Sequence, residues 1–247
     1  VIEDLTELIQ AQRASAWQEV ARRMAHEIKN PLTPIQLSAE RIAKKIVQNH
    51  ESKSPNNEQN IAIVKEGTET ILREVTSLKS MVDEFSKFAR LPNIKLESGN
   101  LNELIRQTVN LYEDRGVAIE TDFADNLPNV LIDEEQLKRV FVNLIENSIE
   151  AFDKNQTNKR ISVKTFYDST RDLIVSEVAD NGSGIPAAAF PRLFQPYFST
   201  KGRGTGLGLA IVQRIIAEHG GKIRAISSFE KGAKFVVELN VLNSTGN

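Results

Sequence analysis

Asp133-Glu-Glu-Gln-Leu-Lys-Arg-Val-Phe-Val-Asn-Leu-Ile-Glu-Asn-Ser-Ile-Glu-Ala-Phe152 carries two stripes at helical spacing. Val140, Phe141, Leu144, Ile145 and Ile149 recur every three or four residues, so one face of a helix over 133–152 is apolar and requires a layer to pack on. Asn143 and Asn147 share the opposite face, with Glu146 and Glu150 beside them. Asp133 offers a side-chain oxygen to the first turn as N-cap.

Outward from this helix, helical and strand-like runs alternate. A helix is expected over 101–114, short strands over 117–123 and 130–132, and a hairpin over 160–167 and 173–178. A second helix follows over 207–219, ended by Gly220-Gly221, with final strands over 223–227 and 234–239. Residues 100–241 therefore read as an α/β layer domain, followed by a tail over 242–247.

Before Gly99 the pattern is helical instead. Residues 5–48 favour helix, interrupted only by Pro31 and Pro34, which remove backbone donors and should bend or loosen the helix. Val64, Thr68, Ile71, Val75, Leu78, Val82 and Phe85 then alternate at four and three residues, the heptad rhythm of a helix with one seam against a partner. A polar, Pro-containing turn over 51–57 joins the two into a hairpin. Two helices leave Met24, Ile28, Ile35 and Ile42 short of covering surface, which points to a homodimeric four-helix bundle. This hairpin domain is placed at 19–91, with a linker at 92–99 opened by Leu91-Pro-Asn93. Residues 1–18, already in helical pattern at Val1, are expected to enter from an upstream sensor or signalling segment.

Bulk composition narrows the chemistry. A formal net charge of -2 and the absence of a basic excess argue against nucleic acid as a partner. Zero cysteines exclude disulfides, thiolate nucleophiles and Cys-ligated zinc, and three scattered histidines disfavour a His-rich metal site, so a metal here would be oxygen-bound. No apolar stretch approaches the length of a membrane span, so no membrane contact is expected of this stretch and a cytoplasmic location is. A parent chain could still be anchored in a bacterial inner membrane.

His26 lies in His26-Glu-Ile-Lys-Asn-Pro-Leu32. A histidine on a helix is usually structural or solvated, but Glu27 can accept a hydrogen bond from one ring nitrogen and leave the other as nucleophile. Asn30, one turn beyond Glu27, could orient a water at a phosphorylated partner. Asp180-Asn-Gly-Ser-Gly-Ile-Pro186 follows an apolar strand, and Gly182 and Gly184 permit close backbone approach to a ligand. Gly202-Arg-Gly-Thr-Gly-Leu-Gly-Leu209 runs straight into a helix whose first N–H groups suit anionic phosphates. Neither a Walker loop nor a Rossmann fingerprint is present. Lys201 and Arg203 would add positive charge, Lys201 first.

Taken in order, these segments resemble the H, N, G1, F and G2 boxes of two-component sensor histidine kinases, from about residue 19 to 239. The run through Pro31-Leu-Thr-Pro-Ile-Gln-Leu-Ser-Ala-Glu-Arg41 is similar to nitrogen-regulation sensors of the NtrY type. The resemblance implies a dimeric phosphoacceptor hairpin followed by a Bergerat-type ATP-binding α/β sandwich. It implies His26 as phosphoacceptor, and ATP held by Asn143, Asn147, Asp180, Gly182, Gly184, Lys201, Gly204, Thr205, Gly206, Leu207 and Gly208, with Mg2+ on Asn147. Phe194-Gln-Pro-Tyr-Phe198 resembles the F box inside a lid over 183–205. The implied partner is the receiver domain of a separate response regulator, which would take the phosphoryl group on an aspartate. An enzyme acting mainly as phosphatase toward that regulator, with ATP as conformational regulator, is the alternative; a non-catalytic nucleotide-binding scaffold is a weaker one.

Overall fold

The computed structural model describes residues 24–25, 28–46, 57–89, 94–200, 206–228 and 232–242. The chain divides into two compact units, Val1–Arg90 and Leu91–Asn247. The expected entry helix over 1–18, His26, Glu27 and the turn at 51–56 lie outside the described residues.

In the first unit, helix α1 (28–46) is continuous through both prolines. Pro34 has no N–H to give the carbonyl of Asn30, and one residue earlier the Thr33 hydroxyl donates to the Lys29 carbonyl at 3.4 Å. Helix α2 (Asn57–Ala89) runs for 33 residues. The two helices meet where Gly67 of α2 is buried: a β-carbon there would come within 2.9 Å of the Ile42 side chain and 3.6 Å of the Ser38 carbonyl. Glycine is costly inside a helix, and close helix packing is the return. Arg41 and Glu66 flank this contact as an exposed ion pair at 3.7 Å. Leu32, Leu37, Ile46, Ile61, Leu72, Val75 and Val82 remain exposed on the hairpin.

The second unit is a five-stranded mixed sheet with helices. Its elements are β1 (Glu97–Gly99), α3 (Leu101–Val109), a 3-10 turn (Asn110–Tyr112), β2 (Ala118–Phe123), β3 (Val130–Ile132), α4 (Glu134–Glu150), β4 (Arg160–Asp168) and β5 (Leu173–Asp180). A second 3-10 turn (Ala187–Arg192), α5 (Gly208–Glu218), β6 (Lys222–Ser228) and β7 (Gly232–Asn240) complete it. The main sheet has the order β2-β4-β5-β7-β6, parallel between β2 and β4 and antiparallel elsewhere. Register places Val163, Val178 and Phe235 in one row and Thr165, Ser176 and Val237 in the next, all buried. The apolar stripe of α4, Leu137, Val140, Phe141, Leu144 and Ile145, is wholly buried and packs with α5, whose Ile211, Val212, Ile215 and Ile216 are buried as well. The other sheet face carries ion pairs, among them Lys234 to Glu177 and Lys164 to Asp122, at 2.8 and 2.9 Å.

Among the boundaries that differ from the sequence reading, three lie near the ends of the second unit. Part of the expected linker, Glu97–Gly99, is strand β1, paired antiparallel with β3. Its three residues are too few and too polar to show strand periodicity, and the pairing comes from β3. The helix expected over 101–114 ends at Val109 and tightens into a 3-10 turn. The hydrogen bonding of the second unit extends one residue into the expected tail, since the Leu242 N–H donates to the Asn129 carbonyl at 3.3 Å. Among the described residues no helix is long and apolar enough to cross a membrane.

Candidate functional site

The N-cap of α4 forms as its sequence suggests. Asp133 accepts from the Gln136 N–H at 3.1 Å and from the Lys95 N–H at 3.0 Å. Burial alone would raise this carboxyl, but those two backbone donors outweigh it and hold Asp133 below the ordinary carboxylate range. The backbone N–H of Asp133 donates in turn to His219 Nε2 at 2.9 Å, while His219 Nδ1 lies 2.8 Å from the Ile215 carbonyl. With an acceptor on one nitrogen and a donor on the other, His219 is the neutral Nδ1–H tautomer. It ties the end of α5 to the start of α4.

This arrangement sets the polar face of α4. Asn143 donates through Nδ2 to the Arg139 carbonyl at 2.8 Å, so its Oδ1 faces the opposite way. There it meets the start of α5: a β-carbon on Gly208 would lie 2.8 Å from Asn143 Oδ1 and 4.0 Å from Asn147 Nδ2. Three residues singled out separately, Asn143, Asn147 and Gly208, thus converge. Leu207, the N-cap of α5, makes no side-chain cap bond. Its side chain is fully buried in the core, so any ligand contact by Leu207 is limited to its backbone.

At the C-terminal end of α4, Gly182 presses on Ala151: an added β-carbon would stand 2.7 Å from the Ala151 carbonyl oxygen. The Ser183 N–H donates to that same oxygen at 3.0 Å. Asp180, the last residue of β5, is buried, and its Oδ1 accepts from the Gly182 N–H at 2.9 Å and the Ala233 N–H at 3.3 Å. Gly184 takes a φ of 72° and Gly206 of 67°, left-handed values that only glycine adopts at little cost. Gly206 also lies against the backbone of Tyr197 and Phe198, where a β-carbon would fall 2.7 to 2.8 Å from their atoms. Gly206 is thus packed on the aromatic segment of the expected lid, and Arg192 stacks over the Phe198 ring at 4.8 Å.

Lys201, Arg203, Gly204 and Thr205, like His26 and Glu27, lie outside the described residues. Asn30 is exposed on α1. Two participants escaped the sequence reading. Gly232, with φ of 86°, opens β7 directly behind Asp180, leaving no room for a side chain. Tyr112 is buried beside Glu146, and burial together with that carboxylate pushes its phenol up to about 12. Both depend on pairings distant in sequence, which leave no local signature.

A buried carboxylate at a strand end, glycines that admit only backbone, and two amides beside a helix N-terminus are groups suited to a nucleotide. The comparisons agree. Residues 132–243 match the family described as histidine kinase-, DNA gyrase B-, and HSP90-like ATPase, and residues 16–94 match the His Kinase A phospho-acceptor domain. The nitrogen regulation protein NtrY of Azorhizobium caulinodans is 42% identical over 90% of this chain and 28% of its own length. The signal transduction histidine-protein kinase AtoS of Escherichia coli K12 is 31% identical over 97% of this chain and 37% of its own. Among solved structures, the catalytic domain of the histidine kinase ThkA is 32% identical with a TM-score of 0.52, covering 60% of this chain and 96% of that one. ThkA in complex with the response regulator protein TrrA is 26% identical with a TM-score of 0.70, covering all of this chain and 69% of that one. The fold and site thus define an ATPase-type domain joined to a phospho-acceptor hairpin. The chain belongs to the sensor histidine kinases. It spans between about a quarter and two fifths of the length of the curated relatives named above, 28% and 37%.

Proposed function

We propose that this chain is the catalytic core of a sensor histidine kinase that transfers the γ-phosphoryl group of ATP to His26 and then to an aspartate on a separate response regulator. The observation that carries the reading is the meeting of Asn143, Asn147 and Gly208, which joins the polar face of α4 to the N-terminus of α5. Asp180 accepts from the adenine amino group, and Gly182 and Gly184 let the backbone approach the base. Gly206, Gly208 and the first turn of α5 face the phosphates, with Lys201, Gly204 and Thr205 completing that end.

Among the described residues no three His, Asp or Glu side chains gather to hold a metal. An amide oxygen is a suitable neutral ligand for a hard cation that keeps most of its shell from phosphates and water, so the residues present fit Mg2+ held by Asn147 and the nucleotide. Bound there, the ion would offset phosphate charge. Glu27 holds the His26 ring in the tautomer that leaves one nitrogen free to attack. The resemblance implies that ATPases which hydrolyse ATP directly carry a glutamate base at the Asn143 position; an amide cannot activate water, which favours transfer to histidine over hydrolysis.

Solved relatives of this family include the ThkA complex with the response regulator TrrA, and the full-length ShkA structure in complex with AMPPNP, 25% identical with a TM-score of 0.58. The exposed apolar residues of the hairpin support a homodimer. A kinase that draws on ATP and Mg2+ works in the cytoplasm, and an inner-membrane anchor in the parent chain is compatible with that reading.

Incubation with γ-labelled ATP and Mg2+ tests the reading. Acid-labile, base-stable label is expected on the wild type and none on His26→Gln. In mixed dimers of His26→Gln with Asn147→Ala, label confined to the chains lacking His26 would overturn the assignment. The exposed amide of Asn30 also supports dephosphorylation of the regulator. Asn30→Ala is expected to retain labelling and lose that second activity, read on a phosphorylated receiver domain.

A further inference from the structure

Strand β5 pairs with β4 as far as Asp180, opposite Ile161. One residue later the chain must leave the sheet, turn at Gly182 and reach Ala151 at the end of α4. At that exit, the Asn181 N–H still donates to the Arg160 carbonyl at 3.2 Å, as a further ladder pair would. The returning bond is different. The Arg160 N–H donates at 2.8 Å to the side-chain Oδ1 of Asn181, not to its main-chain carbonyl. The side-chain amide therefore stands in for a peptide unit, and the main-chain carbonyl is released to turn away. That carbonyl accepts from Gln156 Nε2 at 3.0 Å, and Asn181 Nδ2 donates to the Asn158 carbonyl at 2.8 Å. Gln156 Nε2 also reaches the Asn158 carbonyl at 3.1 Å, closing the set.

We propose that Asn181 is a positioning residue that sets base selectivity: its amide fixes where the chain leaves the sheet and thereby where the Asp180 carboxylate points. This rests on the reading of Asp180 as the adenine acceptor. The link is short. Asp180 Oδ1 is held by the N–H of Gly182, and Asn181 determines the path between those two residues. Adenine presents an amino donor where guanine presents a carbonyl acceptor, so a carboxylate held in one place favours the first and repels the second. Asn181 is exposed. Water can therefore replace its bonds when it is removed, and the loss falls on orientation more than on stability.

The test uses the 247-residue chain in competition titrations with ATP and GTP, alongside urea unfolding. Asn181→Ala is expected to weaken ATP about tenfold and leave GTP unchanged, with a near-native urea midpoint. Gln156→Ala, which leaves the Asn181 side chain in place but removes the donor to the Asn181 carbonyl, to Asn181 Oδ1 and to the Asn158 carbonyl, is expected to lower the ATP-to-GTP ratio about threefold. Asn181→Asp keeps the acceptor for Arg160 and should recover part of the selectivity. An unchanged ATP-to-GTP ratio in Asn181→Ala, whether both affinities fall together or neither moves, overturns the inference. If Asn181→Ala does not fold, an unchanged ratio in Gln156→Ala does so. A wild type that binds no ATP defeats the nucleotide reading itself, and the two failures are thereby told apart.

Discussion

Gly208 stands so close to Asn143 that a single added carbon would lie 2.8 Å from the Asn143 Oδ1. Gly208→Ala gains helix propensity at the start of α5 but must displace the amide. ATP affinity is expected to fall by at least about tenfold, with stability changed by no more than about 1 kcal/mol. Adding Asn143→Ala should relieve the collision without restoring binding. Nucleotide titration of both variants checks this, and native affinity in Gly208→Ala would count against the convergence of these residues on one ligand.

His219 accepts the Asp133 N–H deep between α4 and α5. His219→Ala leaves that donor without its acceptor, and a loss of about 1–3 kcal/mol of stability is expected. Urea unfolding measures it. ATP affinity, extrapolated to the folded fraction, should stay close to wild type because His219 sits at the far end of α5 from Gly208.

Two groups give the second unit opposite pH limbs. The Tyr112 phenol is raised to about 12 from 10.0, so its stabilising contribution is complete below pH 10 and fades as pH climbs toward 12. Tyr112→Phe removes that ionisation, and its alkaline limb should be flatter than that of the wild type. The Asp133 carboxyl is depressed, so its contribution is present above the ordinary carboxylate range and is lost as pH falls through the folded value. Asp133→Asn should flatten the acid limb. Urea midpoints across the pH range decide both, and parallel curves would contradict the assignment.

Leu72 and Leu37 are 62% and 60% exposed on the hairpin, a poor end for two leucines unless a second copy covers them. The double replacement Leu37→Glu and Leu72→Glu is expected to shift sedimentation from dimer to monomer at micromolar concentration. Retained dimer would mean that the association uses a different face.

Much of this was readable because local chemistry and global packing agree. The α4 stripe needed only its three-and-four spacing, and Asp133 announced the cap through its own side chain. Strand β1 was not legible, because Glu97, Ser98 and Gly99 become strand by pairing with a segment more than thirty residues away. Gly232 was overlooked for a similar reason: its need to be glycine comes from Asp180, across the sheet. At Leu207 the sequence shows only half of the role: its place among glycines suggests a ligand contact, and its buried side chain belongs to the core, which leaves the backbone for that contact. Asn181 reads as an ordinary turn residue until its bonds to Arg160 and Asn158 are seen.

Gly67 has a mechanical consequence. With Ile42 seated in the notch left by the missing side chain, α1 cannot slide along α2 without first lifting that isoleucine over the neighbouring ridge. The hairpin is keyed at one point, like a shaft and its collar. A push delivered along α1 is then handed to α2 as displacement instead of being spent in slippage.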